Sequence, residues 1–184
     1  DAIGPKTVGR LTATRHLRQY EQELYRAMGC SALSALAPGV LGQTGIETAE
    51  LLRGTVRCVR PDLLLVVDAL SARSCARLGS TVQISDVGIE PGSGVGNHRA
   101  ELSRKTLGAP VIALGVPTVV EARTLALELL PEGQRHEKSI PDGGMLVSPK
   151  DIDLQVAKCA KVLGYALNLA LQGQMTAAEM EQYL

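Results

Sequence analysis

Two aspartates are the residues of this 184-residue chain whose positions most favour catalysis. Asp68 directly follows residues 63–67, a continuous apolar run that is typical of a buried parallel strand. Asp1 precedes a helix start at Gly4-Pro5. Because ligands of open parallel sheets bind beyond the carboxyl ends of the strands, we expect both carboxylates at that edge. Two neighbouring carboxylates share a proton, so that one can act as an acid and the other as a base.

Each aspartate also has an ordinary structural explanation. Asp is a favoured helix N-cap, and Asp68 would cap a helix that we predict over residues 69–78. Asp1 on its own is typical of a solvated terminal residue. The catalytic interpretation therefore depends on whether the two carboxylates lie close together.

A glycine-rich stretch over residues 91–99 is the second candidate feature. Glycines let the backbone approach a ligand closely, but this stretch lacks both the P-loop ending and the spacing of a dinucleotide fingerprint. A loop over a substrate cleft and an ordinary surface loop both remain open as interpretations. His98 in this stretch could reach the site, whereas His16 is typical of a helix surface and His136 of a solvated linker.

The composition excludes several functional classes. Lys plus Arg and Asp plus Glu each number 19, so the formal net charge is zero and no basic field favours nucleic acid. Trp and Phe are absent, which leaves little for the stacking of bases. No apolar run reaches the roughly 18 residues that a membrane span needs. We therefore predict neither a direct nucleic acid partner nor a membrane.

The common metal and nucleophile motifs are missing. None of the four cysteines forms a C-x-x-C pair, and we expect reduced, mostly buried thiols. No zinc-binding spacing and no G-x-S-x-G elbow occur. The prediction is a protein without a metal or a cofactor.

Predicted strands alternate with predicted helices along the chain. Capping boxes place two helix starts at Thr44 and Thr118, each with a Glu three residues later. Strands are predicted over residues 32–37, 63–67, 81–85 and 111–114, and helices over residues 6–28, 44–60, 69–78, 118–130 and 148–173, with a short last helix from Thr176. This order predicts a single α/β domain over residues 1–184 with a largely parallel sheet, in which the strand before Asp68 is central. Residues 131–145 are predicted to be a linker or a shortened loop.

Eight short stretches carry a more specific signal because they occur together and in order: residues 1–5, 14–17, 37–40, 43–48, 67–74, 83–89, 91–97 and 115–120. Together they resemble the germination protease family of spore-forming bacteria. The resemblance is dense over residues 1–130 and looser over residues 146–170. It implies a further segment before the first stretch that carries the first strand of the sheet, so an open sheet edge is expected where that strand belongs.

The resemblance implies a three-layer α/β/α fold of the phosphorylase/hydrolase-like type, shared with nickel-hydrogenase maturation endopeptidases. It implies an atypical aspartic-type endopeptidase that degrades small acid-soluble spore proteins in the spore core, the cytoplasm of the spore, during germination. It also implies a zymogen made during sporulation, activation by autoprocessing, and a homotetramer. The two proposed catalytic aspartates of the family match Asp1 and Asp68, while residues that bind substrate are not indicated.

Two alternatives stay open at this point. One is a nickel-dependent maturation-type endopeptidase that uses Asp1, Asp68 and His98. The other is an inactive, truncated relative that serves as a binding or scaffold protein. Metal content and peptide-bond cleavage distinguish the two from the aspartic-type enzyme.

Overall fold

The structure, a computed structural model, describes residues 2–96, 99–136 and 144–173. In chain order its helices are α1 (Ile3–Val8), α2 (Arg15–Tyr20), α3 (Gln22–Met28), α4 (Leu41–Thr44), α5 (Thr48–Val59), α6 (Arg104–Leu107), α7 (Ala122–Leu129) and α8 (Ile152–Leu171). Its strands are β1 (Leu64–Ala72), β2 (Gln83–Ser85), β3 (Val111–Glu121) and β4 (Leu146–Val147). None of these described helices is both long enough and apolar enough to cross a membrane. The chain forms two compact units, one over Pro38–Val156 and one over Ala2–Ala37 with the chain from Ala157 onwards.

The first unit contains a small open sheet with β3 at its centre. β1 pairs with β3 in parallel, whereas β2 and β4 pair with it antiparallel. The α/β class is therefore confirmed, and the parallel arrangement is confined to the long β1–β3 pair. The prediction that the strand before Asp68 is central is wrong, because β3 is the strand buried along most of its length. Within the described residues the outer edge of β1 is open.

β1 is longer than predicted. It does not end at Asp68 but continues to Ala72, and the helix predicted over residues 69–78 is replaced by a short 3-10 turn at Cys75–Arg77. The second half of β1 pairs with apolar residues of β3, among them Val116 and Val120. This pairing with a β-branched partner strand outweighs the local preference for a helix.

The turn predicted at residues 115–117 is also wrong, because these residues lie inside β3. Pro117 has no N–H to donate to the sheet ladder, and the register between β1 and β3 shifts directly after it. Leu70 pairs with Pro117, but Ser71 pairs with Val119, so one residue of β3 is left over as in a β-bulge. The bulge lets the strand accommodate a proline that the sequence suggested would end it.

Three helix boundaries differ from the predictions. α5 begins at Thr48 with Glu47 as its N-cap, rather than at Thr44, and its capping box pairs Glu47 with Glu50. The helix predicted from Thr118 begins only at Ala122, since Thr118 belongs to β3. The single helix predicted over residues 6–28 is divided into α1, α2 and α3, and residues 32–37 form no regular strand. The strand within residues 81–85 and the helix after residues 148–151 are confirmed.

The core of the first unit joins α5 to the sheet. Ala49, Leu102, Leu107 and Val111 are all nearly inaccessible to solvent and form one cluster. Partly buried side chains pack against this cluster, namely Leu52, Leu64, Val66 and Ile89. Because Leu64 and Val66 belong to β1, the strand that carries Asp68 is fixed to this core by its first half.

The second unit is held together by two buried side-chain amides, one in α8 and one directly after it. The Asn168 side chain accepts a hydrogen bond from the Thr12 N–H at 3.0 Å and donates one to the Arg10 carbonyl oxygen at 2.8 Å. The Gln172 side chain donates to the Thr12 carbonyl oxygen at 2.9 Å. Asn168 and Gln172 are fully buried, so these hydrogen bonds replace water for the backbone between α1 and α2.

Candidate active site

Asp68 lies in the middle of β1, not beyond its end, and its position in the sheet is opposite Gly115 of β3. Its side chain is half-buried. Burial raises the pKa of the Asp68 carboxyl above its ordinary value of 3.8, and a hydrogen bond with the backbone of Ala69 offsets part of that rise. A carboxyl that holds its proton more tightly than usual is suited to donate a proton to a reacting group.

Because Gly115 of β3 has no side chain, it leaves space for Leu70, which lies two residues after Asp68 in β1. A Cβ atom at Gly115 would overlap Leu70 Cδ1 and lie 2.6 Å from Leu70 Cγ. Residues i and i+2 of a strand point to one face, so Leu70 and Asp68 share theirs. The glycine therefore permits an apolar residue to sit beside the carboxyl, which agrees with the raised pKa.

The glycine-rich loop lies against the second half of β1. We use this name for residues 90–96 and 99–101, the described part of that loop. Gly92 and Gly96 have φ values of 76° and 70° and flank a 3-10 turn at Ser93–Val95. A Cβ atom at Gly94 would lie 2.9 Å from the Cβ of Ser71, a residue of β1. Ser71 is three residues after Asp68, so this contact lies on the face of β1 opposite to the Asp68 side chain.

Two sets of contacts connect this loop to the rest of the unit. At its base, Ile89 and Leu102 exchange backbone hydrogen bonds of 3.1 and 2.8 Å. Further along, the Glu47 carboxylate accepts a hydrogen bond from the Ala100 N–H and forms an ion pair with Arg99. From the sequence we predicted only that Glu47 takes part in a capping box. Its contacts with Arg99 and Ala100 were not predictable, because no local pattern reveals a contact between residues so distant in sequence.

A second acidic residue that the sequence did not single out lies beyond the end of β1. The Cys75 N–H donates to both carboxylate oxygens of Glu128, at 3.3 and 3.1 Å. Hydrogen bonds from the Cys75 thiol, from the Cys75 N–H and from Ser74 lower the pKa of Glu128. Burial, and then the neighbouring Glu128, raise the pKa of the Cys75 thiol, so the sulfur is kept in its less nucleophilic form.

We expect Glu128→Gln to destabilise the protein in a way that depends on pH. A carboxylate whose pKa is lowered by folding contributes stability that is fully present above its ordinary pKa of 4.5 and is lost as the pH falls through its lowered value. The difference in melting temperature between wild type and Glu128→Gln should therefore be largest near neutral pH and shrink in acid. Thermal melts at several pH values measure it, with the exposed Glu132→Gln as the matched control. A difference that stays constant with pH would contradict the assignment.

The other members of the predicted site lie outside the described residues. Asp1 and His98 are both among them, so the structure describes neither the Asp1–Asp68 pair nor the nickel alternative. His16 is exposed on α2, as predicted. In the parts of the chain that the structure covers, no group of three His, Cys, Asp or Glu side chains could hold a metal ion. No disulfide is present in the same parts of the chain.

A mixed α/β protein with a half-buried carboxyl of raised pKa on a strand of its sheet belongs to a class that can perform acid–base chemistry. The comparison with protein families is more specific, because the family described as germination protease matches residues 1–130. The chain belongs to the germination protease family.

Individual relatives agree with this assignment. The germination proteases of Clostridium acetobutylicum and Caldanaerobacter subterraneus are 40% and 42% identical to the chain over 213 residues. Each match covers 100% of this chain and 65% of the relative, so the chain spans somewhat less than two thirds of their length. The germination protease of Bacillus pumilus is 50% identical over 136 residues, which cover 74% of this chain and 36% of the relative.

Proposed function

We propose that this chain carries the catalytic machinery of an endopeptidase that degrades small acid-soluble spore proteins during germination. The observation that carries the proposal is the half-buried Asp68 carboxyl with its raised pKa, in a chain of the germination protease family.

The proposed mechanism is acid–base activation of water by Asp68 together with Asp1. Because burial raises the pKa of Asp68, we assign it the protonated role. Asp1, as the ionised partner, takes a proton from water while the water oxygen attacks the scissile carbonyl carbon. Asp68 gives its proton to the carbonyl oxygen or to the leaving amine, so the C–N bond breaks without formation of an unstable amide anion. This division of roles requires that the two carboxyls lie close together.

Several finer features of the proposal rest on the family resemblance. They are the zymogen form, its autoprocessing, the location in the spore core, a homotetramer, and a three-layer fold like that of hydrogenase maturation endopeptidases. The formal net charge of zero gives no long-range repulsion between copies, which is compatible with assembly. Sedimentation at micromolar concentrations tests the assembly, and a monomer at all of them would contradict it.

The proposed activity is tested by incubation of the protein, as the organism makes it, with a purified small acid-soluble spore protein. We expect discrete fragments from cleavage at internal peptide bonds, identified by mass spectrometry, both with and without a chelator. Cleavage that is lost in the chelator and restored by Ni²⁺ would favour the nickel-dependent alternative. Binding without any cleavage by the processed protein would favour the scaffold alternative.

A further inference from the structure

Leu70 occupies the space that a side chain at position 115 would fill. In the sheet Leu70 is paired with Pro117, whereas Gly115 is paired with Asp68. A Cβ atom at Gly115 would nevertheless overlap Leu70 Cδ1 and lie 2.6 Å from its Cγ and 3.1 Å from its Cδ2. The Leu70 side chain therefore leans back along the strand pair, away from its own partner and toward Asp68.

This conformation brings a methyl group of Leu70 next to the Asp68 side chain. Asp68 and Leu70 are two residues apart in β1 and so point to the same face. Paired residues of β1 and β3 share a face, since Leu64 and its partner Val111 contribute to one core cluster. A side chain at position 115 would therefore stand beside Asp68, about 4.8 Å away across the two strands, and Leu70 takes its place.

The same face is apolar on both sides of Asp68. Val66 precedes Asp68 on this face and packs against the core cluster, while Leu70 follows it. The residues of β3 that pair with this face of β1 carry no charge, namely Val111, Ala113, Gly115 and Pro117. Along the strand and toward β3, the neighbours of the Asp68 carboxyl are thus apolar side chains.

The charged side chains on the elements packed against this face point elsewhere or have partners. On α5, Glu47 is bound to Arg99 and Ala100. The segments that pack with α5 on the core, together with α5 itself, carry exposed or half-buried charges at Glu50, Arg53, Arg57, Glu90, Glu101, Arg104 and Lys105. No charged side chain of these elements is among the groups that shift the pKa of Asp68, for which burial is the main cause.

We propose that Leu70 is a positioning residue for the reaction: held over Gly115, it forms a water-excluding wall beside the Asp68 carboxyl and keeps this group in its proton-donating form. The inference rests on the proposed function and deepens it. Gly115 is the second part of the device, because any larger residue there would push Leu70 out of its place. Leu70 acts through Asp68, so its effect falls on the protonation of that carboxyl.

A double-mutant cycle tests the contact through stability alone. Gly115 does not have a positive φ, so its backbone accepts alanine and any destabilisation comes from the displaced Leu70. Gly115→Ala should lower the melting temperature, and in the Leu70→Ala background, where the added methyl group finds space, this loss should shrink to about half or less. Gly54→Ala is the matched control, because no atom lies within 4 Å of its Cβ position and its effect should be additive with Leu70→Ala. Additive losses for Gly115→Ala and Leu70→Ala would overturn the contact.

The pH dependence of cleavage of a purified small acid-soluble spore protein tests the functional part. Leu70→Asn has a similar size, but its amide solvates a neighbouring carboxylate. The basic limb of the pH–rate profile, where a general acid loses its proton, should move to lower pH, so that kcat on that limb falls about tenfold while kcat on the acid limb stays within about twofold. Leu70→Met keeps an apolar side chain of similar volume and should retain the wild-type profile. A fall in kcat that is uniform over the pH range would indicate a merely structural role and overturn the inference.

NMR titration of the Asp68 carboxyl carbon separates this role from the proposed function. The signal is assigned by its loss in Asp68→Asn. We expect it to titrate at lower pH in Leu70→Asn than in wild type or Leu70→Met, because the polar amide favours the charged form. Absence of cleavage by the wild-type protein would refute the proposed function, while this titration would still decide whether Leu70 controls the carboxyl. An identical titration in all three proteins would overturn the role of Leu70.

Discussion

Asp68→Asn is expected to lower the rate of peptide-bond cleavage by about 10²–10⁴-fold, the usual contribution of a general acid or base. Asn has nearly the shape of Asp but cannot exchange a proton at neutral pH. The melting temperature of this variant should be no lower than that of wild type. A loss of activity without a loss of stability is what a catalytic carboxyl predicts and a structural one does not.

The pH dependence of stability gives this prediction a second readout. Because burial raises the pKa of Asp68, the native state binds the proton more tightly than the unfolded state does. Its contribution to stability is fully present below the ordinary pKa of 3.8 and is lost as the pH rises through the raised value. Asn does not titrate. The melting temperature of Asp68→Asn minus that of wild type should therefore increase as the pH rises from acid to neutral.

A matched control and a double variant complete the test of Asp68. Asp62→Asn changes an exposed aspartate a few residues before Asp68 and should alter neither cleavage nor the melting temperature. Asp1→Asn should lose activity as Asp68→Asn does, and the double variant should lose little more, since members of one catalytic unit are not additive. Retained cleavage in Asp68→Asn with an unchanged melt would refute the role proposed for this residue.

The candidate site was predictable from local sequence only where a single feature dominates. The apolar run before Asp68 indicated a strand, and the strand is confirmed, but the carboxylate was expected beyond its end and lies within it. The end of that strand was not predictable, because residues 69–72 are extended through their pairing with β3, which is distant in sequence. Asp68 consequently lies within the sheet, where burial raises its pKa, instead of at a solvated helix start.

Contacts between distant residues account for most of what the sequence did not reveal. Glu47 matches a capping box at either of two alignments, and only the packing of Ala49 into the core selects the one in which Glu47 is the N-cap. Its second role, toward Arg99 and Ala100, has no local signature. Likewise, Gly-Val-Pro at residues 115–117 is typical of a turn, and only the bulge against β1 lets it continue as a strand.

The base of the glycine-rich loop is the place where a single methyl group should have the largest effect on stability. Gly88 has a φ of 98°, which L-residues rarely adopt. A Cβ atom there would overlap the Leu102 carbonyl oxygen and lie 2.9 Å from the Cα of Ser103. Both are backbone atoms, and Leu102 is 2% exposed in the core, so neither can move away at low cost. Strain and overpacking together should destabilise Gly88→Ala by about 4 kcal/mol.

Gly96→Ala separates these two causes, because Gly96 also has a positive φ, of 70°, but no atom lies within 4 Å of its Cβ position. It should cost only about 1 kcal/mol, the conformational part alone. For a chain of this size the two variants should lower the melting temperature by roughly 8–16 °C and 2–4 °C, respectively. Equal melts would mean that the loop base yields to the added methyl group and that the exchange of hydrogen bonds between Ile89 and Leu102 does not fix it. A large difference would show that the loop is anchored at a rigid base.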